Sequence, residues 1–190
     1  MRLIRIVIPS LLLGACMFGT SKEAKFYTQA AISTQALDAA YKSSVGVNRV
    51  QLPKYMDRPQ MVTQQKDTIQ MSISEFNRWV ESPAILSTRA VTDNLSVLLP
   101  TALVKINKAN GDKFDRMVVI EVIHLNAILG DKAELVAWYT VKDGGKKTLI
   151  QQKFTATVQI GKTYDDMANG YNQLWAQLSQ EIAEKLVSNK

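Results

Sequence analysis

Residues 150–160 alternate: Ile150, Phe154, Ala156, Val158 and Ile160 fall on one side, and Gln151, Lys153, Thr155, Thr157 and Gln159 on the other. A period of two commits this segment to a strand with one buried face. A slip of one residue would turn the apolar set into water, so the register is fixed as well. Residues 117–128 are almost continuously apolar and predict a central strand covered on both sides. Gly130-Asp131-Lys132 turns the chain, residues 135–141 return as a strand, and Asp143-Gly144-Gly145-Lys146 is the strongest turn in the sequence. The C-terminal half therefore holds a three-strand meander.

Two segments switch to the helical period. Ser82 is placed to cap a helix with Pro83 in its first position, where a missing N–H costs nothing. Val91, Leu95 and Leu98 recur at i, i+4, i+7, Ile85 and Thr88 extend that face, and Pro100 ends it. Thr163 caps the last helix, with Asp165 and Asp166 in its first turn. Tyr171, Leu174, Trp175, Leu178, Ile182 and Leu186 form its apolar stripe.

The N-terminal half reads less sharply. Residues 26–31 and 45–52 predict strands, and residues 61–65 and 68–73 a hairpin turned at Lys66-Asp67. Residues 33–44 are ambiguous, with Ala36, Leu37, Ala39, Ala40 and Tyr41 able to form a short helix. Together these elements predict an α+β fold: a single mixed β-sheet with a C-terminal three-strand meander, covered by two amphipathic helices.

Ahead of this body, Arg2 and Arg5 precede a short apolar run that ends in Leu13-Gly14-Ala15-Cys16. A basic start, a short apolar centre and small residues at the end mark a secretory leader, and the run is too short to span a bilayer. Leu-Gly-Ala-Cys resembles a lipobox, in which the cysteine is acylated and becomes the new N-terminus. The expected organisation is a lipoprotein signal peptide over 1–15, an acylated tether over 16–24 and one domain over 25–190. Cys16 is the single cysteine among the 190 residues, so no internal disulfide or cysteine-based metal site exists. Two or more acyl chains hold a protein stably on a bilayer. Met17 rather than aspartate follows the cysteine, which by the usual sorting signal of two-membrane bacteria implies the inner leaflet of the outer membrane, facing the periplasm. The tether, Cys16 apart, reaches at most about 28 Å, which keeps the domain near the bilayer.

Net charge is +6, and +4 once the leader has taken Arg2 and Arg5 with it. That excess is thinly spread and suits a site beside anionic headgroups. No basic helix or aromatic ladder points to nucleic acid. Catalysis has little to work with. His124 is the only histidine and sits between Ile123 and Leu125, the place of a structural residue. Asp165-Asp166 reads as helix capping and Glu121 as a polar-edge residue, and no nucleophile elbow, phosphate loop or dinucleotide fingerprint is present. The expectation is a non-enzyme with no cofactor and no metal.

Two segments are specified beyond packing needs. In Leu52-Pro53-Lys54-Tyr55-Met56-Asp57-Arg58-Pro59-Gln60-Met61-Val62, two prolines stiffen a loop and hold Tyr55, Asp57 and Arg58 in one arrangement, which suits recognition. In Phe76-Asn77-Arg78-Trp79-Val80-Glu81, Arg78 and Glu81 flank a tryptophan that looks exposed. A plainer reading pairs Asp57 or Glu81 with Arg78 or Arg58 and packs Trp79 over the loop. The two readings are compatible and both stay open.

The first segment resembles the signature Pro-x-Tyr-Leu-Asp-Arg-Pro-Gln-Ile-Val of the PqiC/YmbA-type lipoproteins, auxiliary components of MCE-type lipid transport systems. Arg78-Trp79-Val80-Glu81 and Leu95-Ser96-Val97-Leu98-Leu99 stand where that family has Arg-Trp-x-Glu and Leu-Ser-x-x-Leu. Ser82-Pro83 departs from the Pro-Leu that the family often has there. The resemblance is specific over 52–99 and a matter of pattern over 105–190. It implies a non-enzymatic partner of a periplasmic MCE-domain protein, with Tyr55, Asp57, Arg58, Arg78, Trp79 and Glu81 as the partner-binding candidates. It also leaves open phospholipid contact, a carrier role with a lipid held between sheet and helices, and a homo-oligomer that matches ring-shaped partners.

Overall fold

A computed structural model describes residues 22–108, 113–144 and 147–189. The leader, Cys16 and the first part of the tether lie outside the described residues, as does part of the 143–146 turn. The elements in chain order are β1 (Lys25–Tyr27), β2 (Val45–Val47), β3 (Gln60–Gln64), β4 (Met71–Trp79), α1 (Pro83–Leu98), β5 (Val104–Ile106), β6 (Arg116–Ala127), β7 (Lys132–Asp143), β8 (Lys147–Gln159) and α2 (Tyr164–Ser188).

The fold is α+β, with two sheets where one was expected. A five-stranded sheet runs β5-β2-β6-β7-β8 and a three-stranded sheet runs β1-β4-β3. Both are mixed: β2 is parallel to β5 and β6, β1 is parallel to β4, and the other pairs are antiparallel. The sheets meet where β3 approaches the end of β6. There Asn126 Nδ2 donates to Gln64 Oε1 at 2.8 Å, a side-chain contact in place of a backbone ladder. The meander falls where the alternation put it. On β8 the 151, 153, 155, 157 and 159 positions are exposed, while Phe154 and Val158 are buried.

The expectation that the central strand is covered on both faces fails over the middle of β6. Val118, Ile120 and Val122 face the core while Glu121 is exposed and Ile123 is 49% exposed. A bulge between Val122 and His124 then resets the parity, and Leu125 and Ala127 become the buried set. The near-continuous apolar run records that change of parity as well as burial.

Both helices pack on one side of the large sheet. α1 opens on Ser82, whose carbonyl accepts from Ile85 N and Leu86 N at 2.9 and 3.1 Å, with Pro83 in the first turn. α2 opens on a capping box: Thr163 Oγ1 accepts from Asp166 N at 3.1 Å, and Asp166 Oδ2 accepts from Thr163 N at 3.0 Å. The Thr163 hydroxyl also donates to Asp166 Oδ2 at 2.7 Å, and that bond, with the one from Thr163 N, favours the charged carboxylate and holds the Asp166 pKa below its ordinary value. Trp175, Tyr139, Leu95, Leu178 and Leu186 fill the interior.

Residues 33–44 form no helix. Their neighbourhood spends its N–H groups on the helices instead. Asn94 Oδ1 accepts from Ile32 N and Ser33 N at 3.1 and 2.9 Å, and Asn172 Oδ1 accepts from Ala30 N at 3.0 Å. Leu98 O, at the α1 C-terminus, accepts from Leu37 N and Asp38 N at 2.8 and 3.2 Å. Carbonyls that a helix end leaves unpaired are thus satisfied by this strap.

Candidate functional site

The 53–59 loop is fastened at several points. Pro53 O accepts from Met56 N at 2.8 Å and Asp57 N at 3.2 Å, which closes the loop on itself. Met56 is buried in the core. Tyr55, 39% exposed, donates from Oη to Asn126 Oδ1 at 3.2 Å, and its partial burial pushes its pKa up. Pro59 O accepts from Trp79 N at 2.7 Å, joining the loop to the end of β4.

Asp57 reaches the α1 N-terminus. Its Oδ1 accepts from the Ser82 hydroxyl and from Ala84 N at 3.3 Å, and its Oδ2 lies 3.5 Å from Arg49 Nη2. Arg49 Nη2 also donates to Ser82 Oγ at 3.0 Å. The side chain that satisfies the first turn of α1 therefore comes from the loop, since the Ser82 hydroxyl makes no capping bond to the helix backbone. A carboxylate at that end also meets the positive pole of the helix. Asp57→Ala is expected to destabilise the domain by about 1 kcal/mol, as loss of a cap does. Asp57→Asn, which keeps an acceptor but loses a solvent-exposed ion pair with Arg49, is expected to cost less. Urea titration of the three proteins checks the order.

The six partner-binding candidates separate here. Tyr55 and Asp57 hold the loop in place. Trp79 is 3% exposed, against the expectation of an exposed ring, and stacks on Tyr171 with centroids 6.0 Å apart and planes 17° from parallel. Strand alternation in β4 points it inward, opposite to Arg78. Glu81 pairs with Arg89 at 2.8 Å, and Asp57 with Arg49, so the expected pairings of Asp57 or Glu81 with Arg58 or Arg78 are not the ones formed. Arg78 donates from Nε to Glu75 O at 3.2 Å. Arg58 alone of the six is left over: among the described residues its guanidinium has no hydrogen-bond or ion-pair partner.

Beside the loop lies an open cleft of about 520 Å³, lined by Asn48, Arg49, Gln51, Asp57, Ala84 and Asn107 among others. Arg49, Ser82 and Asn126 are the participants that sequence reading missed. No local signal marks Arg49 or Asn126, because their partners lie far away in the chain. Ser82 stood out only as a cap. His124 borders a smaller cleft of about 190 Å³ with Gln64, Asn126, Ile128, Lys132 and Glu134. Among the described residues no group of three or more His, Cys, Asp or Glu side chains is placed to hold a metal ion, and no helix is long and apolar enough to cross a membrane.

The fold is shared with two solved structures. One, described only as an uncharacterized protein, is 23% identical with a TM-score of 0.69, covering 86% of this chain and 99% of its own. The other, a Xanthomonas campestris protein of family DUF330, is 11% identical with a TM-score of 0.70, covering 87% of this chain and 96% of its own. The class is thus an α+β domain, and in this chain its stiff loop is clamped against a helix N-terminus. Comparison with curated proteins gave no match. The sequence itself matches the family model for the ABC-type transport auxiliary lipoprotein component over residues 27–183, and the chain belongs to that family. The family is one of transport auxiliary lipoproteins.

Proposed function

We propose that this chain is a non-enzymatic docking component, acylated on Cys16 and held at the inner leaflet of the outer membrane, which secures a periplasmic MCE-domain partner of a lipid transport system. The observation that carries the docking is the contrast within the 53–59 loop. Tyr55, Met56 and Asp57 are all spent on holding its shape, while Arg58 is presented without a partner inside the chain. A cation on a rigid loop meets a carboxylate partner at little entropic cost, and arginine is over-represented among residues that dominate interfaces. Asp57 and Trp79 act through the loop and the core, so they position the surface and do not form it.

Recovery of the MCE partner from envelope extracts by the acylated protein tests this. Arg58→Ala is expected to weaken recovery about tenfold, or about 1.4 kcal/mol, with the thermal midpoint of the domain unchanged. Recovery equal to the wild type would remove Arg58 from the interface. Incorporation of labelled palmitate, lost in Cys16→Ser, tests the anchor separately.

A further inference from the structure

Strand β1 lies parallel to β4 with Phe26 opposite Arg78, and side chains opposite each other in a parallel pair share a face. Alternation from Arg78 puts Val80 on that same face, turned away from the buried Trp79, and Phe76 lies two residues before Arg78, in the stretch where the β3–β4 register shifts. The exposures agree: Phe26 is 63% exposed, Phe76 40% and Val80 52%. Two phenylalanines and a valine standing in water on one short sheet form the kind of patch that marks an interaction surface. Lys22 and Lys25 are exposed beside them, and Lys22 Nζ lies 5.6 Å from the centre of the Phe76 ring.

The position of this patch in the chain says what covers it. Lys22 is six residues from Cys16, a span of at most about 22 Å even when fully extended. The acyl anchor is therefore joined to the domain within that reach of the patch, since the Lys22 side chain lies over the Phe76 ring. We propose that the Phe26/Phe76/Val80 face rests on the lipid surface, with Lys22, Lys25 and Arg78 at headgroup level, so that the anchored domain has one fixed orientation. This rests on the acylation of Cys16 proposed above. Glu23 and Glu75 lie close in sequence to the three cations, which leaves only a small positive excess. The aromatic area carries the contact and charge only assists it. Aromatic rings at the acyl boundary, with long basic side chains reaching back to the headgroups, are the usual chemistry of an interfacial contact.

Because acylation consumes the one native thiol, single cysteines report position without background. The acylated protein is placed in vesicles of phosphatidylethanolamine and phosphatidylglycerol, with Phe26→Cys, Phe76→Cys, Trp138→Cys or Leu149→Cys labelled by an environment-sensitive dye. Trp138 and Leu149, 41% and 38% exposed on the large sheet, serve as distant positions. The expected result is blue-shifted emission at 26 and 76, most of it lost when the vesicles contain brominated lipid, and water-like emission at 138 and 149. The shift is expected to survive high salt. Water-like emission at all four positions, or lipid quenching at 138 and 149 in place of 26 and 76, overturns the orientation while leaving the anchor intact. Dye uptake by the unmutated chain would show Cys16 bare, which overturns the anchor and the orientation together.

Discussion

Trp79→Ala is expected to lower the stability of the domain by about 3–5 kcal/mol, the usual cost of deleting a large buried aromatic side chain. The ring is 3% exposed and stacked on Tyr171 of α2, so its removal leaves a void between the small sheet and the helix. Two further links run through the same residue. Its N–H donates to Pro59 O at 2.7 Å, and its Cα partner on β1 is Tyr27. The backbone bonds survive substitution, but the packing that holds β4 against α2 does not. Trp79→Phe keeps an aromatic face for Tyr171 and is expected to lose less than half as much. Denaturant titration reads both, with a lower midpoint at unchanged slope as the sign of lost stability. The opposite pattern, full stability in Trp79→Ala with partner recovery abolished, would return the ring to the interface and undo its place in the core.

What the sequence made readable was local and periodic. The two helices and the meander are long enough for their period to show, Thr163-Asp166 caps α2 as read, and Ser82-Pro83 marks where α1 begins although the Ser82 hydroxyl does not cap it. The division into two sheets was not readable. β1, β2 and β5 are three residues each and pair in parallel with strands far away in sequence, so nothing within any of them names its neighbour. Residues 33–44 have the composition of a helix, but the acceptors that draw their segment flat against the helices, Asn94, Asn172 and the Leu98 carbonyl, lie far along the chain.

The site shows the same division. The pair of prolines correctly marked a stiff loop, and Asp57 and Arg58 stood out within it. Their separate fates depend on where α1 begins in space: Asp57 is turned to the Ser82 hydroxyl and Ala84 N, and its cation is Arg49. Trp79 was misread because Arg78 and Glu81 flank it, as polar neighbours flank an exposed ring. In a strand the immediate neighbour faces the other way, so Arg78 beside the ring is no sign of its exposure, and Glu81 lies past the end of β4, where it turns to Arg89.

Gly170→Leu is expected to cost about 3 kcal/mol or more, from overpacking at a close approach of α2 to the sheet. Gly170 lies inside a 25-residue helix, where glycine by itself is about 1 kcal/mol worse than alanine. The compensation is contact. A Cβ built there would lie 2.5 Å from Ile160 Cγ2 and 3.5 Å from both Ala133 Cβ and Val158 Cγ2. Ile160 is only 9% exposed and its N–H is bonded to Asp131 O at 2.9 Å, so the backbone beneath the methyl group is not free to retreat. Gly170→Ala sets the helix gain against the clash, and overpacking of 1–3 kcal/mol outweighs a gain of about 1, so a net loss of about 1 kcal/mol is expected. The balance should reverse once the obstacle is gone. In an Ile160→Ala background, itself destabilised by a cavity, Gly170→Ala is expected to stabilise, and the two changes to be non-additive in a double-mutant cycle. Stabilisation by Gly170→Ala in the wild-type background would mean that α2 sits further from the sheet. Tyr171, the next residue, would then be placed by something other than this contact, and with it the stack that secures Trp79.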